Sequence, residues 1–294
     1  MKLLNVLKFL VNHPLTKDGK LKAVNRFVKW QIGTRFNPYP VIYPFLEDSK
    51  LIIQRGMAGA TGNLYAGLHE FQDMAFLLHF LRQDDLFADI GANIGSYTVL
   101  AAGVIKSKAI SMEPVPLTFR QFMQNIYINN LQDKVTALNI GVGSKKASLK
   151  FTSMLDTTNH VVSQNENAEN CIEVNVESLD VTLENKCPVL MKIDTEGYEA
   201  EVIRGAEKIL SNDRLKAIII ELNGAGARYG FNEKEIHRQL IEYGFSSYDY
   251  FPFEKKIKQA ISFGPFNTIY IRDIEFVQQR ILTARKFKIY NKYI

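Results

Sequence analysis

From residue 86 onward, five short apolar runs (86–90, 109–112, 135–140, 189–193 and 217–222) alternate with segments of helical spacing. Runs this short and this apolar read as strands buried on both faces. The stretches 94–103, 117–129 and 198–210 instead repeat apolar residues every three or four positions, as in Val202, Ala206, Ile209 and Leu210. A parallel pair of strands needs a crossover connection, so this rhythm predicts an α/β fold: a parallel sheet with helices on both faces. Two later runs, 246–251 and 268–272, read as an antiparallel pair on the sheet edge. Asn232 followed by Glu235 has the form of a capping box, with Gly244 as a C-cap. The sequence has no internal repeats.

At 294 residues the chain sits near the limit of one hydrophobic core, which predicts a main domain with an attachment. Residues 1–80 read as an α-rich N-terminal appendage, a lid and substrate platform. Its Asn37-Pro38-Tyr39-Pro40 stretch cannot be regular helix, and Gly56, Gly59, Gly62 and Gly67 give it hinges. Residues 81–275 form the main domain and 276–294 a basic tail. A polar, Asn-rich insertion at 156–170 interrupts the rhythm between two alternating stretches; such insertions are functional or mobile loops.

Hydrophobic residues at 46% and charged residues at 23% exclude wholesale disorder. No apolar run reaches the ~18 residues of a spanning helix, and the 3–11 run is broken by Lys8 and lacks a cleavage site. Cys171 and Cys187 fit neither a disulfide framework nor a CxxC metal site, so a reduced, cytoplasmic setting is expected. The formal charge of +5 is uneven: residues 1–35 carry +7 and residues 278–294 carry +5, leaving −7 on the body. Basic ends on an acidic body do not make a nucleic-acid groove. They read as solvated termini, with weak attachment to an anionic membrane surface or substrate as the functional alternative, through Leu3, Leu4, Val6, Leu7 and Leu10.

Open α/β sheets bind ligands where strands end at a switch in strand order. The first exit reads Asp89-Ile90-Gly91-Ala92-Asn93-Ile94-Gly95-Ser96. Gly91 permits a tight turn, and the small Ala92 and Gly95 let a ligand approach the backbone at a helix start. Asn93 stands where the dinucleotide fingerprint has its second glycine, which suits a nucleoside without a pyrophosphate, such as S-adenosylmethionine. Glu113, 22 positions after Gly91, can accept the hydroxyl protons of a ribose. At the fourth exit Asp194, Glu196 and Glu199 lie within six residues; Asp194 is placed to project into the site, and Glu199 is assigned to the exposed face of the next helix.

The segments DIGANIGSYT (89–98), MEPVPLTFRQFMQNIYINN (112–130), KIDTEGYEAEVIRGA (192–206) and IIIELN (218–223) together resemble the FkbM family of S-adenosylmethionine-dependent methyltransferases. The resemblance spans roughly residues 70–275 and implies the class I methyltransferase fold, a Rossmann-like seven-stranded sheet. It also implies methyl transfer to a hydroxyl oxygen, as on sugars of surface glycans. Asp89, Gly91, Asn93 and Gly95 match the cofactor loop and Glu113 the ribose acid. LYAGLHEFQDM (64–74) extends the likeness and makes Glu70 a rim or cofactor contact. The cofactor set is completed by Ala92, Ser96 and Asp194, with the adenine near 140–142, hence Gly141 and Val142.

An alcohol acceptor calls for a base. Of five histidines, His160 in the polar insertion is the first choice, paired with Asp194, and His69 beside Glu70 the second; His13, His79 and His237 read as structural. Asp194 and Glu196 could ligate Mg²⁺, but no third ligand stands out by spacing, so a metal-independent enzyme is expected. A nucleic-acid methyltransferase is disfavoured because the Pro-aromatic stretch is split by a tyrosine and precedes the cofactor loop. A NAD-dependent sugar oxidoreductase is disfavoured by Asn93.

Overall fold

The computed structural model describes residues 3–155, 158–163, 166, 170–184 and 186–294. Residues 156–157, 164–165 and 167–169 of the insertion lie outside the described residues. The first five sheet strands are β1 (Leu86–Ile90), β2 (Lys108–Met112), β3 (Val135–Leu138), β4 (Leu190–Ile193) and β5 (Ala217–Glu221). They are all parallel. Three more follow: β6 (Ser246–Phe251), β7 (Lys256–Gln259) and β8 (Asn267–Ile271), giving the order β7-β6-β8-β5-β4-β1-β2-β3. Strand β8 is antiparallel to both β5 and β6. The order 3-2-1-4-5 is that of a doubly wound sheet, continued by an inserted antiparallel strand. This is the class I methyltransferase arrangement. The seven expected strands are present, and β7 adds a hairpin partner at the edge.

Successive residues along the strands feed opposite faces, as the two-residue period requires. Phe87, Leu190, Ala217 and Ile219 join one core; Ala88, Ile90, Met191, Ile218 and Ile220 join the other. The first core also takes Leu10 and Ala23 from helices α1 (Leu3–Asn12) and α2 (Lys20–Phe36), and residues from α3 (Ala58–Ala66) and α4 (Phe71–Phe80). It further holds Phe287, Ile289 and Ile294 from the C-terminal end. The appendage and the tail therefore share the core of the sheet. The predicted helix over 198–210 is two helices, Glu199–Arg204 and Glu207–Ser211. The break falls at Gly205, where a Cβ would lie 2.0 Å from the Gly143 carbonyl oxygen.

The basic tail is not simply solvated. Arg280 pairs with Asp85, Arg285 with Glu47, and Lys292 with Asp18 at 2.6 Å, which neutralises most of its charge internally. Among the described residues no helix is long and apolar enough to cross a membrane.

His79 is fully buried, its Nδ1 against the Tyr250 hydroxyl, and burial lowers its pKa to about 4. A depressed histidine pKa means the unfolded chain binds the extra proton first, so its contribution to stability is lost as pH falls from ~6.5 to ~4, by up to ~3 kcal/mol. His79→Gln keeps a partner for Tyr250 but cannot titrate. Its melting temperature should fall less than that of the parent between pH 7 and pH 4.5, measured by circular dichroism; parallel curves would remove His79 from the acid response.

Candidate functional site

The strand order reverses between β1 and β4, and there a cleft of ≈ 320 Å³ opens at the carboxyl ends of the sheet. The two exits are joined directly: the Asp194 N–H donates to the Ile90 carbonyl at 3.0 Å. At Gly91, φ is +81°, and a Cβ there would sit 1.8 Å from the Asp194 carbonyl oxygen. Glycine is thus required by the neighbouring loop as well as by the turn. Asn93 also has positive φ, which asparagine tolerates, and its side chain accepts from the Ile94 N–H at 2.7 Å.

Glu113 closes the other side. Its carboxylate accepts the Asn93 N–H at 3.0 Å and the Val115 N–H at 2.9 Å, leaving lone pairs toward the cleft. Burial pushes its pKa up to about 7 against those two donors. Asp89 is buried beneath the turn, accepts from the Thr98 hydroxyl at 2.6 Å, and is raised by burial to about 6. Glu70 accepts from Tyr97 Oη at 2.8 Å and from Asn267 Nδ2 at 2.8 Å, which ties the appendage to the rim. Ala92, Ser96, Gly141 and Val142 line the same cleft, so most of the expected cofactor set converges.

Two expected site residues lie elsewhere. Gly95 does not line the cleft; a Cβ there would lie 2.3 Å from the Phe122 ring, so this glycine lets the helix Pro116–Ile128 pack close. His160 is also not on the cleft wall. Its Nδ1 donates to the Thr158 carbonyl at 2.7 Å and its Nε2 meets Glu166 at 3.0 Å, so both ring nitrogens are engaged in ordering the insertion. His160→Ala should leave the dependence of turnover on pH unchanged. A lost ionisation in that profile would restore His160 as the base.

The fourth exit is built by Glu199, which is buried and not exposed as the helical spacing suggested. Its Oε1 accepts from the Thr195 N–H, the Thr195 hydroxyl and the Gly197 N–H at 2.9, 3.0 and 3.2 Å. That brace holds Glu196 in a left-handed conformation, φ +54°, uncommon for this residue type and frequent at functional sites. Asp194, Glu196 and Glu221 present oxygens within 4.8 Å of one another. Burial, then Asp194 and Glu199, raises Glu196 to about 8; burial, then Asp194 and Glu196, pushes Glu221 up as well. Lys192 pairs with Asp194 at 2.6 Å; burial opposes its charge, but Asp194, Glu70 and Asp89 outweigh that and hold it protonated.

Glu221 and Lys192 were missed by the sequence reading although each carried a signal. Glu221 ends the fifth strand, where the strand-exit rule applies again. Lys192 is a charge inside an otherwise apolar buried run. His69, the second-choice histidine, does line the cleft, and burial lowers its pKa.

Six carboxyl groups line the cleft (Glu70, Asp89, Glu113, Asp194, Glu196 and Glu221) against the single lysine Lys192. That donor set fits S-adenosylmethionine: Glu113 offers acceptors for ribose hydroxyls, and an acidic wall suits a sulfonium cation. The three carboxylates at the fourth and fifth exits could also hold a hard divalent cation through oxygen.

A methyltransferase FkbM domain model matches residues 89–247. The chain is 26% identical over 171 residues to the hexuronic acid methyltransferase AglP of Haloferax volcanii, covering 56% of this chain and 65% of that protein. It is 30% identical over 148 residues to methyltransferase 1 of Beauveria bassiana, covering 42% of this chain and 59% of the relative. The chain thus spans less than two thirds of each of these relatives. Among solved structures it is similar to a precorrin-6y C5,15-methyltransferase from Geobacter metallireducens, with 14% identity, a TM-score of 0.43, and coverage of 78% of this chain and 98% of the other.

Proposed function

Because the chain belongs to the FkbM methyltransferase family, we propose that it moves a methyl group from S-adenosylmethionine to a hydroxyl oxygen of a sugar-containing acceptor. The matched region is an S-adenosylmethionine-dependent methyltransferase domain, and S-adenosylmethionine is its cofactor. The sugar acceptor is the finer reading. It is supported by the likeness to a hexuronic acid methyltransferase and by a cleft whose polar groups are acceptors for hydroxyl hydrogens.

The observation that carries this reading is the division of the cleft. On one side Gly91, Asn93 and Glu113 form a nucleoside wall; on the other Asp194, Glu196 and Glu221 form a carboxylate wall. Bound S-adenosylmethionine supplies an electrophilic methyl on a good leaving group. The chain must then orient the acceptor hydroxyl and remove its proton. Glu196 is assigned as the acceptor for that proton: it lines the cleft on the loop that Glu199 braces. Burial raises it to about 8, which makes it a stronger base than an ordinary carboxylate. Its Oε atoms hold the proton, Asp194 and Lys192 fix the local charge, and Glu199 holds the loop.

The test is methyl transfer from labelled S-adenosylmethionine to three acceptor sets: neutral hexose glycosides, hexuronic acid glycosides, and RNA or DNA. Label in either sugar set supports the reading, and the neutral–acidic comparison shows whether the acidic wall tolerates a second negative charge. Label only in nucleic acid would contradict it.

A further inference from the structure

We propose that the outer face of helix α2 docks this protein on an anionic lipid surface. The helix has two apolar faces. Ala23, Phe27 and Thr34 are buried, and Phe27 lies 5.3 Å from the Tyr65 ring of α3. The opposite face carries Leu21 (87% exposed), Val28 (41%), Ile32 (50%) and Phe36 (85%). At 100° per residue these four fall within a sector of roughly 80°, a stripe along the helix that the exposed Asn25 interrupts once. The chain then runs on through Tyr39 and Ile42, which are also largely exposed.

The charge around this stripe selects the partner. Lys17, Lys20, Lys22, Lys29 and Arg35 are exposed, and none forms an ion pair among the described residues. On the helical wheel Arg35 borders the stripe on one side and Lys29 and Lys22 on the other, with Lys20 farther round toward the buried face. The cations at the other end of the chain differ, since three of them are paired with Asp85, Glu47 and Asp18. An apolar stripe bordered by free cations on both sides is the pattern of a helix lying in a lipid interface, where its cations meet anionic headgroups. A protein partner would have to match both apolar and charged rows along the whole helix.

The expected contact through α1 is not the one the fold offers. Leu10 is fully buried and Val6 and Leu7 pack against the core, so α1 faces inward. Helix α2 replaces it, and it sits over α3, whose Ala58, Gly59, Ala60 and Asn63 line the cleft. Docking by α2 would therefore bring the cleft close to the lipid surface.

Flotation of the full chain with vesicles tests this. Phosphatidylcholine alone is compared with mixtures in which phosphatidylglycerol is about a third of the lipid, where each basic residue near the surface adds roughly fivefold to partitioning. Binding is expected to the anionic vesicles alone, and to be lost at high salt. Leu21→Ser/Phe36→Ser and Lys29→Gln/Arg35→Gln should each weaken it at least tenfold with melting temperatures unchanged. Leu21→Ser alone should weaken it in the same direction if the pair unfolds. No binding, equal binding to neutral vesicles, or binding indifferent to these variants would overturn the proposal. So would sedimentation showing a dimer that the Leu21→Ser/Phe36→Ser variant dissociates, because the stripe would then face a second copy of the chain.

Discussion

Gly91→Ala is expected to cost ~3–5 kcal/mol, far more than one added methyl usually does, and to lower the melting temperature by roughly 10 °C. Two independent causes add. The backbone at Gly91 has φ +81°, where an L side chain is strained. The new Cβ would also lie 1.8 Å from the Asp194 carbonyl oxygen, which belongs to backbone and cannot swing away. Relief requires the exits of β1 and β4 to move apart, and those exits are the floor of the cleft. Cofactor affinity should therefore fall together with stability. Gly103→Ala is the control: its Cβ would meet Ser49, Val99 and Leu131 at 3.6–3.7 Å, ordinary contact distance, so it should be close to neutral. Equal melting temperatures for the two variants would show that the exits are not in contact as described.

Glu196→Gln should cut turnover by ~10²–10⁴ while leaving cofactor affinity nearly intact, the loss expected when a positioned base is removed. The same change should make the protein more stable at pH 8. A carboxyl whose folded pKa is raised contributes stability below its unfolded value and loses it as pH rises through the folded one. For Glu196 that window runs from about 4.5 to about 8. Removing the charge should thus raise stability by ~1–3 kcal/mol at pH 8, discounted for its partial exposure, with the difference closing toward pH 4.5. The parent rate should rise with pH toward a plateau above 8, and the variant should lack that rise. A loss of turnover with a loss of stability would assign Glu196 a structural role instead.

The parallel strands were legible because burial on both faces writes itself as short, mostly apolar runs, and residues 86–90 match the observed strand end for end. The edge strand 246–251 also matches, though its burial alternates. The cleft wall at the first two exits was legible for a related reason: strand exits in a doubly wound sheet have fixed places, and Gly91, Asn93 and Glu113 all line the cleft there. The place of His160 was not legible: side-chain direction in an insertion depends on the contacts it finds, and His160 is held by Glu166 within the loop. Glu199 was misassigned because helical spacing puts it on an exposed face, whereas it turns back to cap the loop before the helix. The β-hairpin at Val41–Pro44 and Lys50–Ile53 escaped notice because its strands are four residues long and one ends in proline.

The central claim is that S-adenosylmethionine occupies the acidic cleft with its ribose on Glu113, and calorimetric titration tests it most directly. The parent chain should bind S-adenosylmethionine and give no heat with NAD, whose pyrophosphate meets the same carboxylates. Glu113→Ala removes a charge-assisted acceptor worth ~1.5–3 kcal/mol, so its dissociation constant should rise about tenfold to a hundredfold. An unchanged dissociation constant in Glu113→Ala, or tighter binding of NAD than of S-adenosylmethionine by the parent, would contradict the account.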